Sequence, residues 1–183
     1  MDVQNVIVQR VGATPARLEP FQRAVAAARG AGIPVIFVRV AFRDGYPEVS
    51  RRNKAFSAIS SRGGMTLSDT SSYIHDSVTP RSDEPVVRKL RVSAFAGSDL
   101  EVLLRAGGID TLVLSGIATS GVVLSTVREA ADRDYGLIVL SDACLDADPE
   151  VHRVLTEKIF PRQAEVMTVE TWASSLPDVG RAG

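Results

Sequence analysis

Cysteine is nearly absent: the 183 residues contain one, Cys144. A single thiol excludes an internal disulfide framework and fits a reducing, cytoplasmic setting. Histidine is almost as scarce, with His75 and His152 far apart in the chain. These few ligands offer no His/Cys spacing of the zinc type. No metal and no cofactor is therefore expected. No apolar run reaches the roughly 20 residues that a membrane helix needs. The start, Met1-Asp2-Val3-Gln4-Asn5, lacks the basic-then-apolar pattern of a signal peptide. Lys and Arg total 21 against 22 for Asp and Glu, so no basic footprint for nucleic acid exists. Neither a membrane nor a nucleic acid is an expected partner. What is present, 45% hydrophobic and 23% charged residues, is the composition of a globular chain rather than a disordered one. The length suits one domain over residues 1–183.

Along the chain, amphipathic segments alternate with apolar ones. Ala16 to Arg29 reads as a helix, opened by Pro15 and stopped by Gly30 and Gly32. Pro34 to Val40 is a strand-length apolar run, of the kind covered on both sides in a parallel sheet. Residues 41 to about 80 are rich in Arg, Ser, Gly and Asp. This long connection reads either as a lid or binding loop or as a solvated excursion. Glu84 to Arg88 is a short strand, and Ser98-Asp99-Leu100 opens a helix. Strand Thr111–Ser115, a turn over Gly116–Gly121 and a helix over Val122–Asp134 follow. Next come strand Leu137–Leu140 and a helix to about Ile159, capped by Asp148-Pro149-Glu150. Ala164–Val169 is the last strand, with a short helix from about Glu170. The alternation predicts an α/β fold: a doubly wound, mostly parallel sheet with helices on both faces. In such sheets ligands bind beyond the carboxyl ends of the strands. Those ends are Arg88-Lys89, Gly116–Gly121 and Ser141–Cys144.

At these ends the chain resembles the isochorismatase-like (cysteine hydrolase) family. The resemblance rests on four stretches in order. They are Asp2-Val3-Gln4-Asn5, Lys89-Leu90-Arg91-Val92-Ser93-Ala94-Phe95, Gly116-Ile117-Ala118-Thr119 leading into Ser125–Ala130, and Asp142-Ala143. It implies a Rossmann-like fold, a tendency to form homo-oligomers, and hydrolysis of a small-molecule substrate. The family's usual set is an Asp after the first strand, a Lys after a middle strand and a Cys at a helix start. Asp2 and Lys89 match the first two. The nucleophile position falls on Val122, which has no lone pair to attack with. The family also holds true isochorismatases, which cleave a vinyl ether without that cysteine. Its metal-binding nicotinamidases carry an Asp-x-His element, which Ala41-Phe42-Arg43-Asp44-Gly45 lacks.

The leading expectation is thus a hydrolase of a small, anionic metabolite, acting without a covalent cysteine intermediate. Asp2 would be the acid/base and Lys89 would stabilise negative charge. Ile117, Ala118 and Thr119 would orient the substrate, with Ile117-Ala118 as a cis peptide, and Arg91 and Phe95 would line its pocket. Two alternatives stay open. One is a non-catalytic relative that binds ligands or supports assembly; the other is a serine amidase with Ser120 as nucleophile beside Lys89 or Asp2. Cys144, after a different strand, reads as a buried thiol. Asp2 against Lys89 sets two effects in opposition: burial raises the carboxyl pKa, whereas the ammonium lowers it. The resemblance also implies an apolar strand directly before Asp2, at the centre of the sheet, where this sequence has only Met1. One way to fill that place is for Val3–Val8 to slide in, and Val6, Ile7 and Val8 are expected to be buried.

Overall fold

The structure is a computed structural model and describes residues 1–177. Its elements in chain order are α1 (Asn5–Arg10), α2 (Pro15–Gly30), β1 (Phe37–Val40), α3 (Lys54–Arg62), β2 (Val86–Lys89) and α4 (Leu100–Ala106). They continue with β3 (Thr111–Ile117), α5 (Leu124–Ala131), β4 (Gly136–Leu145), α6 (Pro149–Val154), β5 (Glu165–Met167) and α7 (Val169–Ser175). All strand pairings are parallel: β1 lies beside β2, and β3, β4 and β5 form a second ribbon in that order.

Alternation along these strands builds two cores. Val38, Val87, Leu112, Leu114, Leu137 and Val139 point to one face, against Leu104 of α4 and Val127 of α5. Phe37, Val113, Ile138 and Leu140 point to the other, against Phe21 and Ala24 of α2 and Trp172 of α7. A strand covered on both faces needs apolar residues at successive positions. That is why the strands read as continuous apolar runs. This is the doubly wound α/β arrangement.

The two ribbons are joined by the first two residues. The Met1 amine donates to the Ser115 carbonyl (2.8 Å), and the Ile117 N–H donates to the Met1 carbonyl (3.2 Å). On the other side the Asp2 N–H donates to the Val38 carbonyl (2.8 Å). Met1-Asp2 is therefore a strand stub between β1 and β3. Gln4 extends it with a side chain: its amide donates to the Val40 carbonyl (2.9 Å) and its oxygen accepts the Val40 N–H (2.9 Å). The idea that Val3–Val8 fills the sheet is corrected here, because residues 5–10 turn away as α1. Val8 is buried as expected, whereas Val6 and Ile7 are only half-buried.

Residues 41–80 are more than a solvated excursion. Phe42, Phe56 of α3 and Met65 form a satellite core with Val40, and Val6, Ile7 and Leu90 pack against it. The Asn53 side chain caps α3 by accepting the Phe56 N–H. The segment returns to the N-terminus through His75 N–H to Val3 O (2.8 Å) and Asn5 N–H to Tyr73 O (3.1 Å).

Candidate active site

Lys89 ends β2, where Val40 of β1 is its register partner. Its ammonium lies 2.9 Å from Asp2 Oδ2 and donates to the carbonyls of Arg91 (2.9 Å) and Val92 (3.0 Å). An ammonium has three protons, so all are engaged. Both partners are buried, Asp2 at 5% exposure and Lys89 at 2%. Asp2 adopts a left-handed backbone (φ 57°), which Asp tolerates better than most residues. Its second oxygen, Oδ1, is buried and has no hydrogen-bond partner among the described residues. Of the two opposed effects, burial is the larger. It raises the Asp2 pKa above the ordinary value, and the Lys89 charge and hydrogen bond only partly reverse it.

The end of β3 closes over the same stub. A Cβ on Gly116 would lie 2.6 Å from the Met1 carbonyl oxygen, so the close passage of the N-terminus requires glycine there. The Ile117-Ala118 peptide is cis, as the resemblance implied. Thr119–Val123 then forms a tight turn, kinked at Gly121, that leads into α5. Val122 is buried in the core that holds Val87, Ala94 and Phe95. Ile117 and Phe95 are likewise buried, and Phe95 stacks at a tilt on Tyr135. The Thr126 hydroxyl accepts the Ala94 N–H (3.0 Å), tying this wall to α5.

Other expected residues turn elsewhere. The Arg91 guanidinium donates to the Leu90 carbonyl (2.6 Å) and the Glu48 carbonyl (3.1 Å) and lies over the Phe56 ring. Ser120 is exposed, and its N–H donates to Asp146 Oδ2 (2.8 Å). Cys144 is buried, which pushes its thiol pKa up to about 12 and leaves no thiolate near neutral pH. Asp142 accepts the Val169 N–H (2.8 Å) and anchors the start of α7.

Sequence reasoning missed a polar cluster beside this turn. Thr119 Oγ1 and His152 Nδ1 lie 2.8 Å apart, and Asp146 sits near both Ser120 and His152. Burial lowers the His152 pKa, with Asp146 opposing, so the ring is neutral at pH 7. Burial pushes the Asp146 carboxyl up, but hydrogen bonds from Ser120, Asp148 and Ala147 outweigh it and hold the pKa low. His152 follows Thr119 by 33 residues with no local periodicity to link them. Only the fold brings them together.

The comparisons agree with this geometry. The isochorismatase domain model matches residues 1–171. The ureidoacrylate amidohydrolase RutB of Pseudomonas syringae pv. syringae is 33% identical, over 92% of this chain and 71% of that protein. The uncharacterized isochorismatase family protein YecD of Escherichia coli O157:H7 is 32% identical, over 96% of this chain and 93% of that protein. The crystal structure of a cysteine hydrolase from Pseudomonas syringae pv. phaseolicola superposes with a TM-score of 0.84 at 28% identity, covering 94% of this chain and 88% of that one. With its Asp2–Lys89 pair at the strand ends of such a sheet, the chain belongs to the isochorismatase family.

Proposed function

We propose that this protein hydrolyses a small, anionic metabolite without a covalent cysteine intermediate. One observation carries the reading: the Asp2 carboxyl is held by Lys89 through one oxygen, while the other is buried and unpartnered. A carboxyl with a raised pKa can take a proton from water and return it to a leaving group near neutral pH. The nucleophile is then water, because Val122 offers no lone pair and Cys144 is held as the thiol. Lys89 has no free proton to give. It acts on developing negative charge through its field and by fixing Asp2. The backbone of Ile117, Ala118 and Thr119 orients the substrate. Arg91 reaches an anionic group only by releasing the Leu90 and Glu48 carbonyls. The name of the Pseudomonas relative suggests the substrate class: a small ureido or amide acid, cleaved at a C–N bond.

The test is turnover of a panel of ureido acids, N-carbamoyl amino acids and isochorismate by the native chain and by Asp2→Asn. Loss of the acid/base group should cost about 10² to 10⁴ in rate. Full retention of activity in Asp2→Asn removes Asp2 from the mechanism.

A second reading, a ligand-binding relative without turnover, is favoured by the saturation of the buried Lys89 ammonium. It predicts no turnover of any panel member, together with a rise in melting temperature on binding one of them.

A further inference from the structure

The turn Thr119–Val123 is tethered at two consecutive residues by the segment that follows β4. Ser120 donates its N–H to Asp146 Oδ2 (2.8 Å), and Thr119 Oγ1 meets His152 Nδ1 at 2.8 Å. The two tethers share one frame. Asp146 Oδ1 accepts the Asp148 N–H (3.3 Å), and the Asp148 side chain caps α6, the helix that carries His152. The two ends of the histidine contact differ in exposure. Thr119 is 0% exposed, whereas His152 is half-buried and lines an open groove with Ser141, Asp142 and Thr156. The Thr119 hydroxyl has no other hydrogen-bond partner among the described residues. A buried O–H needs an acceptor, so it donates to Nδ1, and the ring proton sits on Nε2. A second proton on the ring goes to Nδ1 and turns the contact round. Thr119 Oγ1 must then accept, and its own proton is left without a partner in a dry site.

We propose that His152 is a positioning residue: its neutral ring fixes Thr119 and, through it, the turn that orients the substrate, and protonation of the ring releases that hold. The placing of substrate against the turn rests on the hydrolytic reading; the hold on the turn does not. Charged groups reach the ring from several elements. Asp146, just past β4, favours the imidazolium, and Arg17 of α2 opposes it. Asp142 of β4, Arg153 of α6 and Glu157 beyond it share the groove. Burial is the largest effect and keeps the ring neutral at pH 7. Asp146 behaves differently. Its carboxyl is held below the ordinary value and stays ionised at about pH 5, so the Ser120 tether does not titrate along with the ring.

The experiment compares the whole native chain with His152→Asn and Thr119→Val. Asparagine keeps an acceptor near the place of Nδ1 and does not titrate. Valine keeps the shape of Thr119 and removes its hydroxyl. The amides of Ser120, Gly121 and Val123, which bond to Asp146 and Ala118, report the turn. Their hydrogen exchange, corrected for the intrinsic rate, is read at about pH 7.5 and about pH 5, together with kcat/KM for a substrate from the panel. In the native chain, exchange at the turn should be roughly tenfold faster at the lower pH, the effect of one lost hydrogen bond in a buried site. The native kcat/KM should fall by a similar factor more than that of His152→Asn. Exchange in His152→Asn should not change between the two pH values, and in Thr119→Val it should be fast at both. Asp2 titrates in both the native chain and His152→Asn, so the difference between them belongs to His152. Native exchange equal at the two pH values, a change that persists in His152→Asn, or parallel kcat/KM profiles in those two chains overturns the proposal. If His152→Asn does not fold, the native chain against Thr119→Val decides by the same exchange criterion. If no panel member is turned over, the hydrolytic reading fails and exchange alone decides the hold on the turn.

Discussion

Lys89→Met is the most informative substitution in the molecule. Methionine keeps the length of the side chain and removes its charge. The change deletes the 2.9 Å contact to Asp2 and the hydrogen bonds to Arg91 O and Val92 O. Removing one member of a buried pair typically costs about 3–5 kcal/mol, because the other charge is left uncompensated. For a chain of this size that is a fall of roughly 6–20 °C in melting temperature. The pH dependence identifies the cause. The folded Asp2 pKa is raised, so the stability linked to it is complete below the ordinary value of 3.8 and is lost as pH climbs through the folded value. Without Lys89 that folded value moves higher still, and the loss extends over a wider range. The cost of Lys89→Met should therefore be largest at pH 7 and shrink toward pH 4. Adding Asp2→Asn should recover at least half of the cost at pH 7, since no carboxylate remains to be stranded. Urea unfolding of the four chains of this cycle gives each number. A cost below about 1 kcal/mol at pH 7, or strict additivity of the two substitutions, would refute the claim that the pair is coupled and buried.

Three further outcomes follow from the same geometry. Gln4→Leu should cost about 2–4 kcal/mol in urea unfolding, because the Val40 N–H and carbonyl both lose the Gln4 side-chain amide and Ser72 O loses its 2.6 Å donor in a buried site. Cys144 should resist alkylation by iodoacetamide at pH 8 in the folded chain and react fully once urea unfolds it; rapid labelling of the native chain contradicts its burial. The lowered His152 pKa means the unfolded chain binds the proton first, so stability should fall as pH drops below about 6.5. His152→Gln should flatten that part of a plot of melting temperature against pH, and an unchanged slope places the titration elsewhere.

The sequence was legible wherever a residue's role follows from its neighbours in the chain. Strands β3 and β4 announce themselves as apolar runs because helices cover both of their faces. The Asp148-Pro149-Glu150 start of α6 was equally plain: the Asp148 side chain accepts the N–H groups of Glu150 and Val151. β4 runs on to Leu145, past Ser141-Asp142, because those polar side chains bond to Met167 O and Val169 N–H. Local signals failed where tertiary contacts decide. Val6-Ile7-Val8 is β-branched and favours a strand, yet it forms α1. The serine-rich α3 has too few apolar residues to stand out, and only Phe56 is fully buried from it. The Asp2–Lys89 pair was legible only through the family resemblance, since nothing in the spacing of the two residues requires contact. The Thr119–His152 contact had no signal of either kind.

The pair and the link between the ribbons have one cause. Met1 bonds to Ser115 and Ile117, and Asp2 bonds to Val38 and Lys89, so two consecutive residues carry both the link between the ribbons and the buried carboxyl. The backbone that fixes Asp2 is only as rigid as the pairing around Met1. Loosening Met1 admits water to Asp2, which weakens the desolvation that raises its pKa. In this molecule the acidity of Asp2 is thus a property of sheet pairing as much as of its ammonium neighbour.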